Sequence, residues 1–111
     1  MEITKKKVIT STPFDTIDLL DIYEYGEATF GQKLAESFID EIYRLLDNLE
    51  TQYLLHPECR HLETNTKIYR NIILGSYLII YRIRANKIEV LRAFHGSRSP
   101  KIIKQVRKIK P

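Results

Sequence analysis

IYRNIILGSYLIIYRIRANKIEVLRAFHGSR, residues 68–98, carries the strongest structural signal in the chain. Three runs rich in β-branched and aromatic residues follow one another: Ile68–Ile73, Tyr77–Ile83 and Ile88–Phe94. Such residues fit a pleated, half-buried surface. Gly75-Ser76 and Ala85-Asn86-Lys87 supply turn chemistry between the runs. Connections this short leave antiparallel pairing as the one geometry available. The middle run is apolar on both parities, with Tyr77, Ile79, Tyr81 and Ile83 alternating with Leu78 and Ile80, as a central strand would be. Alternation alone does not say which face is covered by helices.

Working outward, Lys5–Thr10 reads as a short strand and Ser11-Thr12-Pro13 as a helix start. A hydroxyl caps free amides there, and proline fits the first helical position. Asp15 and Asp18 suit the positive end of the helix dipole. This helix is expected to reach about Ala28 with Phe14, Ile17, Leu20 and Tyr23/Glu24 spaced at three to four residues along its buried face, Gly26 weakening its end. Gly31 marks a turn. A second helix over Gln32–Glu50 places Leu34, Phe38, Ile42, Leu45 and Leu49 in one stripe. The short link folds the two into an antiparallel hairpin, and its apolar stripes need a third surface, the sheet. Tyr53–Lys67 reads as a loop. Pro100–Lys110 reads as a short amphipathic helix that docks on the sheet or orders against a partner. The expected fold class is α+β: an N-terminal strand, a helical hairpin on a small twisted antiparallel sheet (β-α-α-β-β-β), and a short C-terminal helix. Residues 1–111 are expected to form a single domain.

The net charge of +4 hides an asymmetry. Residues 1–50 hold 11 acids and 5 bases, a net of −6, whereas residues 51–111 hold 3 acids and 13 bases, a net of +10. A basic half points to an anionic partner, nucleic acid or an acidic protein surface, with a solvated basic face as the bland reading. Cys59 stands alone, which excludes an internal disulfide and suits a reducing cytoplasm. The chain shows no apolar run that would span a bilayer and no signal-peptide core near its N-terminus, so a cytoplasmic, membrane-free protein is expected.

The residues able to carry chemistry are Arg70, Arg82, Arg92, Arg98 and His95, interleaved with Tyr69, Tyr77 and Tyr81. Guanidinium forks grip phosphate, and tyrosines stack bases. Tyrosines in strands are more often packing. Arg92, set in an apolar run, needs either an ion pair with a helix acid or a functional contact. His95, at a strand end beside Gly96, suits a general acid or base, or a backbone hydrogen bond. His56, Cys59, His61 and Glu63 match no zinc spacing, and no phosphate loop or nucleophile elbow occurs, so no metal or cofactor is expected.

The chain resembles the RelE/ParE superfamily of bacterial type II toxins, most closely its ParE branch. The resemblance rests on Asp18-Leu19-Leu20-Asp21-Ile22 and Tyr25, Gly31 with Ala35 and Phe38, Leu49 and Pro57, Tyr69-Arg70, Gly75-Ser76-Tyr77, Ile80-Tyr81, and Ile88 to His95 with Arg98. Cys59 departs from the small residue common there. The resemblance implies a toxin silenced by the peptide of a cognate antitoxin. ParE-like members poison DNA gyrase, and RelE-like members cut mRNA on the ribosome with basic residues of the open sheet face. In this chain Arg70 stands without a second base on its strand, Leu78 follows Tyr77, and no tyrosine follows Tyr81. That thinned set favours the gyrase poison, with the mRNA endonuclease as the alternative. If the nuclease reading holds, His95, Arg98, Arg70 and Arg92 are its catalytic residues. Binding of antitoxin or target is expected through Tyr69, Arg70, Tyr81, Arg82, Arg92, Lys101, Lys104 and Arg107.

Overall fold

The computed structural model describes residues 4–96 and 98–111. The first three residues, read above for a leader, and Ser97 of the strand-end motif lie outside the described residues. Strand β1 is Lys7–Thr10. A single π-helical turn, Phe14–Asp18, runs into helix α1, Leu19–Phe30. Gly31, at a φ of 92°, links it to α2, Gln32–Gln52. Strands β2 (Tyr69–Leu74), β3 (Tyr77–Ile83) and β4 (Lys87–His95) form the antiparallel meander. The tail is α3, Pro100–Lys104, continued by a 3-10 turn over Gln105–Lys108.

The sheet order is β1-β4-β3-β2, so β3 and β4 are both interior. β1 joins β4 in parallel. Alternation could not reveal that pairing, because the helical hairpin is itself the crossover that a parallel neighbour requires. The helices cover the face formed by Ile72, Ile79, Tyr81, Ile88, Val90 and Ala93. The other face, with Tyr69, Ile80, Leu91 and Phe94, is covered by Cys59, Leu62, Ile103 and Val106. A bulge makes this two-sided burial possible. Ile80 pairs with Arg92 but Tyr81 with Val90, so Leu91 is the extra residue. The extra residue resets the alternation of β4. Val90 and Ala93, three apart, therefore share the helix-side core.

β1 stops at Thr10, and β4 continues five residues past its last partner, Val90. Its outer backbone groups are taken up by the turn that follows β1. The Ser11 amide donates to Val90 O at 2.9 Å, and the Ser11 hydroxyl donates to Leu91 O. Asp18 Oδ2 then accepts the Ala93 amide at 2.8 Å. The π turn makes this possible. One extra residue per turn rotates the face, so Phe14, Asp18, Leu19 and Ile22 point inward. Ile17 and Leu20, expected on the buried face, are instead 48% and 52% exposed.

Candidate functional site

The apolar stripe of α2 is turned slightly from the expected one. Ala35, Ile42, Leu46 and Leu49 are buried, Phe38 and Leu45 half-buried, and Leu34 is 60% exposed. The reason lies in how the hairpin closes. A Cβ at Gly26 would lie 3.3 Å from Ala35 Cβ, so α1 and α2 approach closely through two small residues. Gly26 does not end α1, which continues to Phe30. With Gly26 on Ala35 at the contact, Tyr25, Phe30 and Leu34 are left outside it, each more than half exposed. They line an open groove of about 390 Å³ together with Ile22, Phe38 and Tyr77. No sequence expectation singled out this groove. The available signal was that α2 carries more apolar residues than one face can bury.

Beside it lies a second hollow of about 310 Å³ that shares Ile22, Tyr25 and Tyr77 with the groove. Among its lining residues are the ionisable side chains of Asp18, Asp21, Arg92, His95 and Arg98. The Tyr77 ring joins the two, 5.8 Å from the Phe38 centroid and 5.6 Å, edge-on, from that of His95. Burial, then the nearby Tyr25 and Asp21, hold the Tyr77 phenol above its ordinary pKa, which makes it a poor base near neutrality. One continuous recess is thus apolar at the hairpin and ionic at the strand ends.

Arg92 is committed within it. Its Nε and one terminal nitrogen donate to the two Asp18 oxygens at 2.8 Å each, and it lies 4.7 Å over the Phe94 ring. The geometry is the bidentate fork that fixes an arginine rigidly. Arg70 lies elsewhere. It sits four residues along the meander from the strand ends where Tyr77 faces His95, since its partner on β3 is Tyr81. Four strand residues span about 13 Å. Its guanidinium donates to Leu54 O and His56 O at 3.0 Å each, which clamps the loop after α2. Of the four residues expected to act in catalysis, His95 and Arg98 therefore share a recess with a neutralised Arg92, and Arg70 is apart.

Several residues expected on a binding surface are interior. Tyr81 is fully buried, and its hydroxyl donates to Tyr53 O at 2.6 Å. Tyr69 is 7% and Arg82 3% exposed. Arg82 Nε donates to Glu89 at 2.7 Å, and its terminal nitrogens reach the Tyr69 hydroxyl and the Ile109 carbonyl. These three side chains hold the core and the tail together and offer a partner almost no surface. The helical hairpin covers Tyr81, and the docked tail, one of the two outcomes expected for Pro100–Lys110, covers Tyr69 and Arg82. Lys101, Lys104 and Arg107 are exposed on the tail. Cys59 is buried, and burial raises its thiol pKa, which keeps it protonated. Among the described residues no group of three or more His, Cys, Asp or Glu side chains is placed to hold a metal ion, and no helix is long and apolar enough to cross a membrane.

Comparisons with known proteins place this fold. No curated protein matches the sequence. Among solved structures the chain is similar to one described as "Chromosomal ParDE TA system from P. aeruginosa", with a TM-score of 0.67 and 17% identity over 83% of this chain and 97% of that one. At that identity the likeness is one of fold. The family model for the ParE toxin of the type II toxin–antitoxin system parDE matches residues 16–100, which takes in both helices, the whole meander and the recess between them. The chain belongs to the ParE toxin family of type II toxin–antitoxin systems.

Proposed function

We propose that this toxin arrests growth by docking on DNA gyrase, and that a cognate antitoxin neutralises it by laying an amphipathic segment along the groove of Tyr25, Phe30 and Leu34. The observation that supports docking over chemistry is the dispersal of the basic set. Arg70 clamps a loop, and Arg92 is neutralised by Asp18. Cleavage at a ribose 2′-hydroxyl needs an acid, a base and a phosphate clamp converging on a few ångströms. An apolar groove flanked by charge suits the apolar face of a helix that is disordered alone and folds on binding. Purified toxin is expected to inhibit gyrase supercoiling at micromolar concentration, and its co-expressed partner to relieve the inhibition. Absence of inhibition at that concentration removes gyrase as the target.

The alternative, ribosome-dependent mRNA cleavage, has one observation in its favour: His95 and Arg98 line the same recess as Asp21 and Tyr77. Primer extension after induction separates the two readings, since a nuclease leaves cuts at codon boundaries and a gyrase poison leaves none.

A further inference from the structure

The tail, residues 98–111, carries Arg98, Lys101, Lys104, Arg107, Lys108 and Lys110 and no acid. Most of it lies beyond the residues that the family model matches. Its backbone is fixed from beneath. Ile103 and Val106 are buried against the sheet among Leu91 and Phe94. Arg82 donates to the Ile109 carbonyl at 2.9 Å, and Arg107 donates to Glu63 O at 3.2 Å. Ser99 caps α3, with Pro100 at its first position.

On this fixed support Lys101, Lys104 and Lys108 stand at i, i+3 and i+7, on the face opposite Ile103 and Val106. All three are exposed, and among the described residues none pairs with a carboxylate. At about 1.5 Å rise per α-helical and about 2 Å per 3-10 residue, they spread over roughly 12 Å. Duplex DNA carries a charge about every 1.7 Å of its axis, so each ammonium has its own phosphate within that span.

We propose that this face of the tail binds the phosphate backbone of duplex DNA. Two features favour a polyanion over an acidic protein. Ile103 and Val106 point into the sheet, which leaves the outer surface short of the apolar core that a protein interface needs. The tail keeps one large apolar side chain partly exposed, Ile102 at 37%, whereas the hairpin exposes several more fully, Tyr25, Phe30 and Leu34 among them. Residues 13–52, which make that hairpin, hold ten acids and two bases, a net of −8. The field of the molecule therefore repels DNA from the groove and presents the tail to it. Lysines on flexible stems suit phosphate as point charges, without sequence readout. The inference deepens the gyrase reading, because the substrate of gyrase is duplex DNA; it rests on that reading only for its purpose.

The test uses the purified full chain and a fluorescent duplex of about 20 base pairs, with no gyrase present. Anisotropy is expected to show binding that weakens roughly fortyfold between about 50 and about 200 mM salt, the slope for about three phosphate contacts from the three lysines. Lys104→Gln with Lys108→Gln is expected to weaken binding at the lower salt by about tenfold or more and to cut the slope by about two-thirds. Lys7→Gln with Lys33→Gln removes the same charge elsewhere and is expected to change affinity less than about threefold. Equal loss in both variants, or no binding at the lower salt, overturns the proposal, as does tighter binding to an acidic peptide of matched charge. A chain that inhibits supercoiling but binds no DNA keeps the gyrase reading and loses this one. A chain that binds DNA through the tail but leaves gyrase untouched does the reverse.

Discussion

The two faces of the sheet are finished in opposite ways. Directly under the tail, Ile103 and Val106 close over Leu91 and Phe94 and charge is turned inward or fixed, while Ile73 at the far end of the same face stays 65% exposed. Arg82 and Glu89 are each about 5% exposed or less, with Arg84 and Lys87 closing on the same carboxylate. Under the hairpin, closure stops at Gly26 and Ala35, and the groove beyond them stays open. The difference teaches where a small domain places its recognition. One side is sealed by a buried ionic network, and the other leaves large apolar side chains half exposed beside an ionic recess, the signature of a surface awaiting a partner.

The sharpest break in this comparison comes at the sealed face. Glu89→Ala leaves Arg82 buried without its carboxylate, and the expected cost is about 3–5 kcal/mol by chemical denaturation. Replacing both partners together, Arg82→Met with Glu89→Leu, is expected to recover most of that loss, because the penalty belongs to the orphaned charge. Next comes the lock between sheet and hairpin. Asp18→Asn keeps an acceptor for the Ala93 amide but removes the charge that Arg92 grips, for an expected loss of about 1–3 kcal/mol in the same measurement.

At the open face the expectation is reversed. Phe30→Glu and Leu34→Glu are expected to shift folding stability by less than about 0.5 kcal/mol, because both side chains are already in water. Affinity for the antitoxin, measured by calorimetry, is expected to fall at least tenfold, about 1.4 kcal/mol. A loss of stability without a loss of affinity would place the partner elsewhere.

The smallest effect is one of pH. Burial raises the Glu89 pKa, but its hydrogen bonds to Arg82 and Arg84 outweigh this, and the net shift is downward. A carboxylate lower in the folded state binds its proton more tightly when unfolded. Its stabilisation is therefore present above the unfolded value of about 4.3 and is lost as pH falls through the folded one. Thermal melting is expected to show that acid loss in the wild type and a weaker one in the double apolar variant.

Much of this architecture was legible in the residues. The strand runs and their turns fixed the meander, and the stepping of Phe38, Ile42, Leu45 and Leu49 marked α2. Four features were not legible, each for a physical reason. The π turn displaced the face of α1 by one residue, which no 3.6-residue period predicts, so Ile17 and Leu20 emerged where burial was expected. The bulge at Leu91 reset the parity of β4, which put Val90 and Ala93 on one face and let Arg92 reach Asp18 at the strand's open edge. Arg82 and Tyr81 looked like surface chemistry because residue type does not report burial. Only the docked tail and the end of α2 supplied the carbonyls that satisfy them. The groove escaped notice for a related reason: it is defined by what Gly26 and Ala35 fail to cover.

Docking on a target, the proposed mode of action, leaves the recess with no bond to cleave. The direct test is growth arrest on induction of the His95→Ala, Arg98→Ala double variant, with circular dichroism confirming its fold. Arrest as complete as that of the wild type, with no cleavage of mRNA, is expected; a folded variant that no longer arrests growth would assign the arrest to chemistry at His95 and Arg98.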